Sequence, residues 1–455
     1  MEERKLPDKY IQMAEAPLPG VITRLAIPGI IVNLISTFYN MVDTFFVSEL
    51  GTSATAAVGI SMALMTTIQA IGLFFGHGAG NFISRQLGAG KYENAAQMAA
   101  TGFFSAIIAP TLCLTIPGLI FIRPLAVLLG ATPTILPFAC DYMLYILLGA
   151  PFMASTLMLN NLLRFQGSSF YGMIGMASGA LLNAVLDPLL IFVFDMGISG
   201  AALATMLSQI LSFVILLAVS RKKGNISIMF RNFAPSLGSY KEMLRGGVPS
   251  LCRQAIGGVS SIYVNHTAGA FGDAAIAASS VVQRVIMFCA MALIGFGQGF
   301  QPVCGFNYGA KNFARVKQAF YFSLKVTVIS LVVFAGAEFA FAPQIIGWFS
   351  GSDEKVLEVG IQMLRFQCVT FPLLSWVVLT SMMLQTIGSV VRASILSLAW
   401  QGLFMIPSTF ILVSLWGLVG FQLALPLSTL LSFFVAIPLL LATFKNMREQ
   451  EMQLA

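Results

Sequence analysis

The stretch LAIPGIIVNLISTFYNMVDTFFVS, residues 25–48, is long and apolar enough to cross a bilayer, yet it carries Asn33, Ser36, Tyr39, Asn40 and Asp43. Spanning the hydrocarbon takes about 20 residues of helix. A carboxyl group inside such a segment costs on the order of 2.5–3.5 kcal/mol on insertion scales, a cost usually tolerated for function. Steps of three and four residues stack on one side of a helix, so positions 33, 36, 40 and 43 share a face. The segment therefore reads as a membrane helix with a polar stripe turned inward. Ile31, Leu34, Phe38, Met41 and Phe45 are left for lipid or packing. The bland alternative places Asp43 in water at the outer end of its helix.

The rest of the chain repeats this chemistry. Of its 455 residues, 57% are hydrophobic and 9% charged, with a mean hydropathy of +0.86, where soluble domains carry about a quarter charged residues. About twelve apolar runs follow one another, from 25–48 to 416–443. In lipid each run has to satisfy its own backbone, so the expected class is an all-α polytopic membrane protein. The net charge of +7 does not indicate nucleic acid, because the basic residues fall in alternate loops. Arg4, Lys5, Lys9, Arg85, Lys91, Arg164, Arg221, Lys222, Lys223, Lys311, Arg392 and Lys445 lie on one side, and little beyond Arg123 and Lys355 on the other. That bias places both termini in the cytoplasm of a cell-membrane protein. The charged first residues and the long first run argue against a cleavable leader. The six cysteines form no CxxC pair and His77 and His266 have no partners at metal-ligand spacing, so all read as core or interface residues.

Laid on itself at a shift of 221, the chain aligns Arg24 with Arg245, Pro28 with Pro249, Gly51 with Gly272, Gly88-Ala89 with Gly309-Ala310, Pro151 with Pro372 and Gly167-Ser168 with Gly388-Ser389. Two copies of a six-helix unit are expected: a lobe over 1–221, a basic linker over 222–244 and a second lobe over 245–455. Six helices is an even number, so the copies run parallel, an arrangement found in secondary transporters. The copies differ at their acids. Asp43 aligns with Val264, and Asp187 with Ser408, or with Pro407 at a shift of 220.

In the fifth run Asn183 and Asp187 are four residues apart and share a face, with Gly179 and Gly175 clearing room for a neighbour. If the first and fifth runs face each other, Asp43 and Asp187 form a carboxyl pair lined by Tyr39, Asn40, Asn183 and Asn160. Such a pair can exchange a proton near neutral pH or hold Na⁺ through its oxygens. The bland alternative for Asp187 is a helix terminus before Pro188. Arg253, Arg284 and Glu338 also fall in apolar runs, where Glu338 reads as solvated near a helix end. Gly88-Ala89-Gly90-Lys91 lacks the Gly and Ser/Thr of a nucleotide-binding loop, so transport has to run on an ion gradient. No His, Asp or Ser set at reactive spacing marks an enzyme.

Gly297-Gln298-Gly299-Phe300-Gln301-Pro302, followed by Asn307-Tyr308-Gly309-Ala310-Lys311-Asn312, resembles the loop after the eighth helix of the MATE (multidrug and toxic compound extrusion) transporters. Ser84-Arg85-Gln86-Leu87-Gly88-Ala89-Gly90-Lys91 matches it in the first half, and Tyr39-Asn40-Met41-Val42-Asp43-Thr44 resembles the family's first-helix motif. The resemblance implies two six-helix lobes around a central cleft and antiport of amphipathic, mostly cationic compounds against H⁺ or Na⁺, with no cofactor. In the DinF/MepA-like branch the coupling pocket lies in the amino-terminal lobe. Carried over, it comprises Tyr39, Asp43, Asn183 and Asp187 for the ion, with Asn40, Asn160 and Thr205 toward substrate. The NorM-like branch also uses acids in the seventh and tenth helices, where this chain has Arg253, Gln254, Asn265 and Gln367. Expected partners are small drugs and membrane lipids, and a lipid or lipid-linked precursor flippase is the rival reading.

Overall fold

A computed structural model describes residues 8–350 and 353–453, with the side chains of Asn40, Met41 and Ser350 outside the description. Among the described residues there are helices and short connections and no strand. A short helix α1 (Asp8–Glu15) precedes α2 (Leu18–Ser48), α3 (Thr52–Gly88), α4 (Tyr92–Ile120), α5 (Leu136–Phe165), α6 (Ser169–Val193) and α7 (Gly197–Ser220). The second half holds α8 (Leu237–Gly269), α9 (Asp273–Gly309), α10 (Phe313–Ala340), α11 (Glu354–Thr386) and the 63-residue stretch Val390–Met452. Gly417, at φ 57° and ψ −126°, breaks that stretch into α12 (390–416) and α13 (418–452).

Ten helical stretches, counting Val390–Met452 once, are long and apolar enough to cross a membrane. The break at Gly417 and the more polar α8 bring the described helices to the twelve expected. Gly51 and Gly272, a repeat-related pair, precede α3 and α9 at φ 102° and 95°, a backbone that side-chain-bearing residues rarely adopt. Asp353 opens α11 by accepting the Lys355 and Val356 amides at 2.9 and 3.3 Å, the usual N-cap device.

The chain divides into two compact units: residues 8–15 and 27–247, and residues 16–26 and 248–453. One division falls between α1 and α2, and the other two fall inside helices, just before Pro28 in α2 and Pro249 in α8. In the first unit, α3 packs on α5 through Gly72, Gly76 and Gly80, spaced four apart on one face. A Cβ on Gly72 would lie 2.9 Å from the Ala154 carbonyl and one on Gly76 2.8 Å from Asn161 Nδ2, while one on Gly80 would enter the Phe165 ring. Small residues give such contact where lipid supplies no hydrophobic drive between helices. Leu64, Ile68, Tyr142, Met143, Ile146 and Leu147 fill the layer beside them. In the second unit Val282, Ile286 and Leu293 of α9 pack with Met363, Leu364 and Leu374 of α11. There too, Leu18, Ile22, Leu25 and Ala26 from the start of α2 pack with Phe296, Phe300, Val303 and Phe320.

The lipid-facing residues of the first helix follow the sequence pattern: Ile31, Phe38 and Phe45 are exposed. Helix α1 buries Tyr10 and Met13. Its Lys9 Nζ donates to Ser168 Oγ at 3.0 Å and Asn225 Oδ1 at 2.6 Å.

Replacing Gly76 with Leu forces the α3–α5 seam apart and is expected to destabilise the protein by about 1–3 kcal/mol. Gly59→Leu, whose Cβ meets open space, should stay within about 0.5 kcal/mol of wild type. Thermal unfolding in detergent compares the two. Burial pulls the Lys9 ammonium down to about 8. The folded state then binds fewer protons than the unfolded one between about pH 8 and the ordinary lysine range, so α1 docks more tightly as pH rises through that window. Amide-exchange protection of residues 8–15, corrected for intrinsic rate, should rise accordingly.

Candidate functional site

The site begins with the glycines of α6. A Cβ on Gly175 would strike the Leu216 side chain, and one on Gly179 would strike Ser212 Oγ and lie 2.8 Å from the Ser208 carbonyl. Without those side chains α6 closes on α7, and one turn beyond Gly179 the Asn183 amide reaches Thr205 Oγ1 at 3.5 Å. The same amide donates to Asp187 Oδ1 at 3.2 Å. From α2, the Tyr39 hydroxyl lies 3.5 Å from Thr205 Oγ1. Thr205 thus joins Tyr39 on α2 to Asn183 and Asp187 on α6, and Asp43 follows Tyr39 by one turn.

Both bland readings of the acids fail on burial: Asp43 is 8% exposed and Asp187 is 0% exposed. The Asp187-Pro188 step does not end the helix, which continues as a π turn over Leu189–Val193. Such turns concentrate at functional sites. Neither acid forms an ion pair among the described residues, where the only two pairs both use Glu242. Asp43 Oδ1, Asp187 Oδ2 and Asn183 Oδ1 are buried and have no hydrogen-bond partner. The site is rich in buried acceptors and poor in protein donors, an arrangement that costs free energy unless something else satisfies it. A proton or a small cation on these oxygens would offset that cost.

The carried-over residues separate into two groups. Tyr39, Asp43, Asn183, Asp187 and Thr205 come together. Asn160 does not join them: its Oδ1 lies against Gly172, fifteen residues before Asp187 (187 − 172) on the same helix, or about 22 Å along its axis. The side chain of Asn40 lies outside the described residues. Tyr142 on α5 was missed in the sequence. It is fully buried, donates to Met65 Sδ at 3.8 Å, and is within electrostatic reach of Asp43, Tyr39 and Asp187. The signal was available, since Tyr142 aligns with Met363 at the shift of 221, the same loss of polarity between halves that singles out the two acids.

Comparison with known proteins gives a match to the MatE family over residues 28–189 and 249–411. The chain belongs to the MatE family. The two matched segments start 221 residues apart, the register of the internal repeat, and the first contains Asp43, Asn183 and Asp187. As a MatE protein the chain is an integral membrane transporter and not an enzyme. It is 27% identical over 408 residues to the multidrug export protein MepA of Staphylococcus aureus, covering 89% of this chain and 90% of that one. The MepA of Staphylococcus haemolyticus is 27% identical over 436 residues, at 94% and 95% coverage. A solved structure described as the outward-facing conformation of a multidrug resistance MATE family transporter superposes with a TM-score of 0.91, at 26% identity, over 98% of this chain and 100% of that one.

Thr205→Val removes the hydroxyl shared by Tyr39 and Asn183 and is expected to cost about 1–2 kcal/mol in thermal unfolding. Thr205→Ser, which keeps the hydroxyl, should cost less than half as much.

Proposed function

We propose that this MatE protein is a secondary multidrug exporter that expels small amphipathic, mostly cationic compounds from the cell in exchange for H⁺ or Na⁺. The observation that carries the reading is the two buried acids: Asp187 is held by Asn183, which Thr205 links to Tyr39, one turn before Asp43, and neither acid pairs with a Lys or Arg among the described residues. The multidrug export proteins similar to it over most of their length supply the substrate class. In the proposed cycle the coupling ion binds the Asp43–Asp187 oxygens from outside and displaces the drug outward. The two lobes then rock to expose the empty site inward, and the ion leaves toward the cytoplasm, where both termini lie. Tyr39 and Thr205 hold α2 against α6 and α7, so occupancy of the carboxyl pair is felt along α2. The domains of the cycle are the six-helix lobes 1–221 and 245–455, with 222–244 between them.

The test is efflux of a fluorescent cationic dye from proteoliposomes under an imposed pH gradient and, separately, an imposed Na⁺ gradient. Wild-type protein should move dye under one of the two. Asp43→Asn and Asp187→Asn should each lower that rate at least tenfold, toward empty vesicles. Dye export that persists in both variants contradicts the reading. Lipid scrambling without gradient-driven dye export would indicate the flippase instead.

A further inference from the structure

The second unit buries one acid that the exchange cycle above does not use. Glu338 is 5% exposed, two residues from the end of α10, and so is not the solvated helix-end residue the sequence suggests. Cys289 of α9 donates its thiol to Oε1 at 3.0 Å. Cys368 of α11 donates to Oε2 at 3.8 Å. Both thiols are buried as well. Three helices therefore turn three ionisable groups toward one point, and each carboxyl oxygen has its own thiol.

The remaining neighbours supply no charge that would fix the ionised form. Arg365 of α11 stacks on the Phe339 ring, 5.3 Å from its centroid, and forms no ion pair with Glu338 among the described residues. The short helix Ala342–Ser350, which follows α10, carries no titratable residue, and neither does the 371–386 part of α11. On α9, Arg284 is exposed and more than a turn from Cys289. An ionised Glu338 would hold its charge with two weak donors and at the negative end of its own helix dipole. A neutral Glu338 needs one acceptor, which a thiol sulfur provides.

The internal repeat supplies a control. At the shift of 221, Cys289, Glu338 and Cys368 align with Ile68, Pro117 and Leu147, and Ile68 and Leu147 are fully buried in the matching layer of the first unit. The fold fills this position with apolar side chains in one half, so packing does not require the Cys-Glu-Cys set in the other.

We propose that Glu338, between the Cys289 and Cys368 thiols, is a second proton-binding site that loads and unloads during the transport cycle. On proton uptake a carboxyl oxygen becomes a hydroxyl and its hydrogen bond reverses: the oxygen that accepted an S–H now donates to that sulfur. On release the thiol turns back. No other co-reactant is needed. The site rests on the exporter reading for its use in transport but not for its titration, and the two are tested separately.

The experiment is pH-difference infrared spectroscopy on the purified full-length protein in lipid. Wild type should show a carboxylic C=O band that grows on acidification together with a change in the S–H stretch. Glu338→Gln should remove that carboxyl component and its S–H change while leaving the bands from Asp43 and Asp187, which also report that the variant is folded. The Cys289→Ser/Cys368→Ser double variant should keep a titrating carboxyl with a shifted band and no S–H change. In the dye assay, Glu338→Gln should lower proton-driven efflux several-fold. A Glu338→Gln spectrum superposable on wild type, or a Glu338 band that does not change with pH, overturns the proposal. Wild-type protein that titrates at Glu338 but moves no dye under either gradient leaves the second proton site standing and removes the exporter reading.

Discussion

A carboxyl group taken out of water has to be matched by a donor, a cation or a proton, and in this protein the first two are scarce where the acids are buried. The cost of leaving such a group unmatched is several kcal/mol, larger than most single contacts in a fold. Around Asp43 and Asp187 the donors are one amide from Asn183 and a hydroxyl bridge through Thr205, with acceptor oxygens to spare. An ion that binds there changes the energy of the whole cluster, and the cluster touches three helices. In the proposed cycle, this is how an ion gradient would act on α2.

The surrounding structure buries the cluster and holds its helices close. The glycines of α6 admit α7 to within backbone contact, and those of α3 admit α5. Both seams also take polar side chains, Asn161 against Gly76 and Ser212 against Gly179. The two halves share the repeat but not these seams, since of the five glycines only Gly76 has a glycine, Gly297, at the shift of 221, and they differ also in their buried ionisable residues. The first carries Asp43, Tyr142 and Asp187 where the second has Val264, Met363 and Ser408 or Pro407, and the second carries Cys289, Glu338 and Cys368 where the first is apolar. Each half of the repeat has its own buried ionisable set.

Much of this was legible in the sequence because the bilayer enforces simple rules. Length and apolarity mark the helices, and of the polar stripe predicted on α2 Asp43 is buried and Asn33 and Ser36 are half-buried, with Ile31, Phe38 and Phe45 on its outside. The repeat reappears as two family-matched segments that start 221 residues apart, and the resemblance implied Thr205, which composition alone would not distinguish from any other helix threonine. Three features were not legible. Asn160 shares the chemistry of the site but lies about four turns away along α6, a separation set by which stretch of α5 meets Gly172. The proline after Asp187 suggested a helix end, but a π turn absorbs it. Glu338 looked solvated because its distance from a helix end is visible in sequence, whereas the thiols that enclose it come from positions 49 residues before it and 30 after it.

The central claim is that substrate and coupling ion compete for one buried carboxyl pair. Its most direct test is ion release from the purified protein on addition of a cationic drug, followed with a pH indicator in weak buffer and, in parallel, with tracer sodium. Wild type should release one of the two ions in proportion to the drug bound, and the Asp43→Asn/Asp187→Asn double variant should release neither from this site. Drug binding that leaves both ions unmoved in wild type, or release that is undiminished in the double variant, would contradict the account.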